Sequence, residues 1–148
     1  MVLERFIKAQ EKEANGFEIA FKEINSGKKI NHWMWYIFPQ IKGLGRSSTS
    51  KFYAIQSIKE AKEYLAHPIL GIRLREISKA LLSNNQNDAI LIFGFTDSLK
   101  LKSCMTLFSF VDNSDEKTFQ KILDKFFSGY IDEITMEKIT TMKKNIEK

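Results

Sequence analysis

Residues Trp33–Phe38, WMWYIF, are apolar on every side. Such an element has no face to offer water, so the rest of the chain has to enclose it whatever its secondary structure. Periodicity leaves buried helix and buried strand both open for a run this short. Pro39 restricts Phe38 and ends the element. A turn, Gly43-Leu44-Gly45, follows directly, and then Arg46-Ser47-Ser48-Thr49-Ser50. Both tryptophans, two of the four tyrosines and two of the seven glycines thus fall between His32 and Tyr53. A junction of this kind suits a pocket wall, since the aromatics supply a rigid apolar surface and the turn exposes backbone N–H groups. It equally suits a core element followed by a tight loop.

The remaining chain reads as helices. Leu3 to Asn25 carries apolar residues at helical spacing, with a break near Asn15-Gly16, and Ser26-Gly27 supplies the stop. Ser57-Ile58-Lys59-Glu60 fits a capping box, with Ile58, Ala61 and Leu65 inward. His67-Pro68 breaks that helix and begins the next, with proline at its first position and Leu70, Leu74, Ile77 and Leu81 on one face. Ala89–Phe93 is a second short apolar run, read as a buried helix capped by Asn87 or Asp88, with strand the alternative. Thr96 or Asp97 is expected to cap a helix whose Leu101, Cys104, Met105 and Phe108 face inward. A helix after Ser114 has Phe119, Ile122, Leu123 and Phe126 on one stripe and ends at Gly129; the last covers Ile134–Ile146. The expectation is an all-α protein, one compact multi-helix domain over residues 1–148, with 33–38 and 89–93 as helix or strand.

At 148 residues, 43% hydrophobic and 28% charged, the chain has the make-up of an ordinary globular protein able to bury a core without staples. A single cysteine, Cys104, excludes an intramolecular disulfide. The N-terminal MVLERFIKAQEKEANG lacks an uninterrupted apolar stretch, and no run is long enough to span a bilayer, so a cytoplasmic protein with no membrane partner is expected. The net charge of +5 favours anionic partners. It is too diffuse to indicate nucleic acid, which is not an expected partner.

Gly43-Leu44-Gly45-Arg46-Ser47-Ser48 brings backbone donors, a guanidinium and hydroxyls into one stretch, the equipment for holding an anion such as phosphate. It is neither a Walker A loop nor a dinucleotide fingerprint, because Ser48 stands where the third glycine belongs. Glycines in a turn and serines capping the next helix account for the same residues without a ligand. Lys100 and Lys102 fall near the first turn of a helix that begins after Asp97. There the macrodipole disfavours a cation by up to about 1 kcal/mol, and a bound anion offsets that cost; Asp97 or solvent does so equally well. His32 and His67 titrate near neutrality, and His32 is the one acid–base candidate nominated, although each also suits a local cap. Two histidines so far apart indicate no metal, and no cofactor is expected. Cys104, on an inward face without a basic neighbour, is a small hydrophobe rather than a nucleophile.

HWMWYIFPQ at 32–40, GLGRSSTS at 43–50, YLAHPILGIRLRE at 64–76, IFG at 92–94, Asp97, Lys100 and SCMTLF at 103–108 together resemble a bacterial family of unknown function whose members are often labelled "calpastatin". The resemblance spans nearly the whole chain and implies an all-helical fold, without implying a reaction or catalytic residues. The label does not suit these residues: calpastatin is similar to a disordered, repeat-built inhibitor, whereas this chain is aromatic-rich and without repeats. Cys104 departs from the family's pattern, where serine is more typical. The expected function is binding of, and action on, a small anionic, phosphorylated or nucleotide-like ligand. Arg46, Ser47, Ser48 and Lys100 would hold the charge, and Trp33 or Trp35 would pack against a planar part. The alternative is a non-catalytic protein–protein interaction module with a partner the sequence does not name.

Overall fold

The computed structural model describes residues 3–147. Among them there are ten helices and no strand, so the protein is all-α. The expected long N-terminal helix is two, α1 (Glu4–Gln10) and α2 (Phe17–Ser26). Gly27 ends α2 at φ 85°, and its N–H bonds back to the Glu23 and Ile24 carbonyls. The aromatic run is a single helical turn, α3 (Met34–Ile37), and the second ambiguous run is also a helix, α7 (Ala89–Phe93), capped by the Asp88 side chain on the Ile90 N–H at 2.9 Å.

Between them lie α4 (Ser48–Phe52), α5 (Ile58–Ala66) and α6 (Leu70–Ser83). Ser57 caps α5 through the Glu60 N–H at 3.0 Å. The reciprocal half of the capping box differs from expectation: Glu60 accepts from the Gln56 N–H at 3.1 Å and pairs with Arg5 at 2.8 Å. His67 Nδ1 accepts from the N–H groups of Ile69 and Leu70, so this histidine is a cap.

The spine of the fold is α8 (Phe95–Val111), which packs against α5, α7, α9 (Thr118–Phe127) and α10 (Glu133–Glu147). Every residue from Ser103 to Phe108 is buried, so this middle stretch of the helix is enclosed on all faces rather than amphipathic. The aromatic run was expected to be central; it is interior, with Trp33 and Phe38 fully buried, but it packs at one side of the α8 spine with Phe93. A second difference concerns where α8 begins. Its N-cap is Gly94, not Thr96 or Asp97, and the Ser98 N–H bonds to the Gly94 carbonyl at 3.0 Å. Lys100 is therefore in the second turn, away from the strongest macrodipole field.

Among the described residues one isolated parallel bridge joins Ile41 to Ile55. The Lys42 N–H donates to Ile55 O at 2.9 Å and the Ile55 N–H to Gln40 O at 2.8 Å. This bridge closes the base of the 41–55 excursion and fixes the Gly-Leu-Gly turn and α4 over the end of α3.

Candidate functional site

Two adjoining clefts meet at Trp35. The smaller, about 190 Å³, lies inside the 41–55 excursion and is lined by Trp35, Gln40, Lys42, Gly43, Leu44, Gly45, Ser50, Lys51 and Tyr53, among others. The larger, about 300 Å³, lies between that excursion and helices α8 and α10, and is lined by Trp35, Gln40, Leu44, Gly45, Thr96, Leu99, Lys100, Ser103, Asp132 and Ile134. Trp35, Gln40, Leu44 and Gly45 belong to both, so they form the partition between two halves of one groove.

The excursion takes this shape for local reasons. Ser47 caps α4 by accepting the Ser50 N–H at 3.1 Å, and the Ser50 hydroxyl donates back to the Ser47 carbonyl at 2.8 Å. Ser50 is thereby drawn against Gly45, where any Cβ would lie 2.4 Å from Ser50 Oγ and 3.7 Å from the edge of the Trp35 ring. Gly45 is needed for this close approach. Among the described residues no hydrogen bond takes up the N–H groups of Gly45 and Arg46.

Lys100 supplies the charge. Its ammonium lies 4.0 Å from the Trp35 ring centroid and 3.0 Å from Asp97 Oδ1. The other Asp97 oxygen pairs with Lys29 at 2.9 Å, and Lys29 lies 5.0 Å from the Trp33 ring. Burial alone raises the Asp97 carboxyl, but the hydrogen bonds and charges of the two lysines outweigh it and hold Asp97 below the ordinary carboxylate value. Two ammonium groups share one carboxylate; of these groups only Lys100 lines the larger cleft, where Asp132 is the one other charged side chain. Lys42 and Lys51 line the smaller cleft, where no acidic side chain opposes them, and the Lys138 side chain reaches Gly43. The floor of the larger cleft is uncharged apart from Asp132. There Ser103 Oγ and Thr135 Oγ1 are 2.7 Å apart, and Thr135 Oγ1 donates to Asp132 Oδ2 at 2.5 Å.

Of the residues expected from sequence, the structure brings Trp35 and Lys100 into contact at this groove. Arg46 is exposed, one residue beyond Gly45. Ser47 has its hydroxyl occupied as a cap, and Ser48 is exposed at the start of α4. Trp33 is fully buried, with its indole N–H on Glu23 at 3.0 Å, and does not face the groove. His32 is exposed and lines neither cleft; its carbonyl accepts from Tyr36 at 3.3 Å. Cys104 is enclosed, and burial pushes its thiol well above the ordinary value, so it holds no thiolate at neutral pH. Among the described residues no His, Cys, Asp and Glu side chains cluster as a metal site, and no helix is long and apolar enough to cross a membrane. Lys42 and Lys51 bracket the glycine turn and were legible as a positive flank. Gln40 and Ser103 fall in stretches that carry the family resemblance but nothing marks them as site residues, and Asp132 carries no sequence signal; only the fold brings them together.

This arrangement can hold an anion beside a planar or apolar group. The conserved hypothetical protein Rv1873 from Mycobacterium tuberculosis, known from its crystal structure, has the same fold at a TM-score of 0.88 and is 36% identical, with 93% of this chain and 96% of that one covered. No curated protein matches the sequence. Residues 1–139 match the family described as "Protein of unknown function (DUF1810)". The chain belongs to that family.

Proposed function

We propose that this protein binds a small anionic ligand, phosphorylated or nucleotide-like, in the groove partitioned by Trp35. The observation that carries the reading is the Lys100 ammonium held 4.0 Å from the Trp35 ring at the wall of a cleft. An ammonium has three donors, and Asp97 takes one. The ring face attracts the cation without consuming its hydrogen-bonding capacity, so a donor remains for a ligand. Lys42, Lys51 and the Gly45 N–H, which no hydrogen bond takes up among the described residues, add positive potential along the same groove. The calpastatin label contributes nothing to this reading, which needs a folded pocket rather than a disordered inhibitor.

A thermal-shift screen of phosphorylated metabolites and nucleotides tests it, run on the wild type, Lys100→Met and Arg46→Ala. A true ligand raises the wild-type midpoint with the logarithm of its concentration, by about 2.7 kcal/mol of stabilisation at a hundredfold excess over Kd. The same compound leaves the Lys100→Met midpoint nearly unmoved. If no compound shifts the wild type, or if Lys100→Met responds equally, the reading is wrong. Turnover of the bound compound then separates an enzyme from a sensor.

A second reading, a non-catalytic protein–protein interaction module, rests on Leu91 and Phe95, which are 60% and 65% exposed around the α7–α8 junction. Sedimentation of the wild type and of Leu91→Ser/Phe95→Ser tests whether that surface supports self-association.

A further inference from the structure

The floor of the larger cleft has a definite hydrogen-bonding polarity. Asp132 is a carboxylate, which only accepts, and its Oδ2 takes both the Thr135 N–H at 2.9 Å and the Thr135 hydroxyl proton at 2.5 Å. Thr135 has then spent its single proton. In the 2.7 Å contact between Ser103 Oγ and Thr135 Oγ1 the donor must therefore be Ser103. Both hydroxyls are buried, Ser103 at 2% exposure and Thr135 at 0%, so this order of protons is not scrambled by water. Ser103 consequently turns only lone pairs towards the cleft. Among the described residues no hydrogen bond reaches Asp132 Oδ1, which is a second open acceptor on the same wall. Lys100, one helical turn before Ser103 on α8, supplies the donor to the same cleft, against Trp35.

From this polarity we infer that the ligand is a phosphorylated polyol, in the manner of a ribonucleotide, whose anionic group meets Lys100 and whose vicinal hydroxyls donate to Ser103 Oγ and Asp132 Oδ1. The inference rests on the anion-site reading above and adds to it what the ligand must carry at its other end. Ser103 and Asp132 both touch the Thr135 hydroxyl, so their two open acceptors sit together on the cleft floor, where a pair of hydroxyl donors on one ligand can satisfy them. A ligand ammonium would also donate to Asp132, but it would share a small cleft with the Lys100 ammonium, and like charges at that range repel. Neutral hydroxyls incur no such penalty. Ser103 is a specificity-determining residue under this assignment: a buried acceptor with no proton left to give discriminates against any ligand lacking a donor at that point.

Isothermal titration with adenosine monophosphate, its dideoxy analogue lacking both ribose hydroxyls, and inorganic phosphate tests the assignment on the wild type, Ser103→Ala and Lys100→Met. The wild type is expected to bind the ribose form at least about tenfold tighter than the dideoxy form, the effect of one to two good hydrogen bonds. Ser103→Ala is expected to shrink that ratio to the share Asp132 supplies while leaving the dideoxy affinity unchanged, and Lys100→Met to weaken both nucleotides. Equal wild-type affinity for the two nucleotides overturns the polyol assignment and leaves the anion site intact. Discrimination that survives unaltered in Ser103→Ala, with a native melting midpoint, also overturns it. Failure of all three probes to bind the wild type removes the anion-site reading as well.

Discussion

Glu23 is the group whose removal the structure prices most clearly. It sits in α2 and is buried, yet among the described residues no cation pairs with it; its oxygens instead accept four hydrogen bonds from the segment leading into α3. The donors are Ile30 N–H at 2.6 Å, Asn31 N–H at 2.9 Å, Asn31 Nδ2 at 2.6 Å and Trp33 Nε1 at 3.0 Å. Glu23→Ala orphans all four. The two backbone donors and the Asn31 amide lie at the exposed turn and regain water, losing roughly 0.5–1 kcal/mol each. The indole N–H is enclosed with the fully buried Trp33 and cannot be rehydrated, which adds roughly 1–3 kcal/mol. The total is about 2.5–6 kcal/mol, a large part of the 5–15 kcal/mol typical of a domain. Urea unfolding at neutral pH measures it, and a loss under about 0.5 kcal/mol would refute the assignment of Glu23 as the anchor of this turn. The pH dependence is a second check. Burial raises the Glu23 carboxyl, but the four hydrogen bonds together outweigh it, so its folded value lies below the ordinary 4.5. A depressed folded value means stability that is present above 4.5 and is lost as the pH falls through the folded value. The stability gap between wild type and Glu23→Gln should therefore be full at neutral pH and narrow progressively below 4.5. A gap constant into strong acid would show that the ionised carboxylate is not what the turn needs.

Three further outcomes are expected. Gly45→Ala places a Cβ 2.4 Å from Ser50 Oγ and 2.5 Å from Ser50 Cβ, so it should cost about 1–3 kcal/mol in urea unfolding and, by displacing α4 from the turn, abolish ligand-induced thermal shifts. Gly71→Ala is expected to be worse, above about 3 kcal/mol, because its Cβ would lie 2.0 Å from the Leu65 carbonyl and only movement of α5 against α6 relieves that; a near-neutral result would contradict the α5–α6 packing. Cys104 should be inert to iodoacetamide in the native protein and react at the rate of unfolding, so fast native alkylation would show the α8 spine to be open.

Local signals carried most of the helices, because caps act within one turn: Ser57, Asp88 and Gly27 each terminate a helix where their own chemistry says they should. The start of α8 was misplaced for a reason of longer range. Asp97 has a cap's side chain, but Lys29, far off in sequence, and Lys100 both claim its carboxylate, so the helix runs back past it to Gly94. The floor of the groove lay further out of reach. Ser103 and Thr135 are 32 positions apart and meet only because α8 and α10 pack, and neither has a neighbour that hints at the other.

The aromatic stretch posed a choice between core element and pocket wall, and helical geometry answers it with both. At 3.6 residues per turn, side chains two positions apart point about 200° away from one another. With Trp33 as the N-cap of α3 and Trp35 as its second residue, the two indoles leave the edge of the core in different directions. Trp33 goes inward, fully buried and held on Glu23; Trp35 goes outward, half-buried, where the groove and Lys100 meet it. A strand over the same residues would have put both indoles on one face, since alternate strand positions share a side. They would then have been two core residues or two wall residues. The helical assignment of 34–37 is thus what allows one tryptophan to anchor the fold while the other shapes the groove.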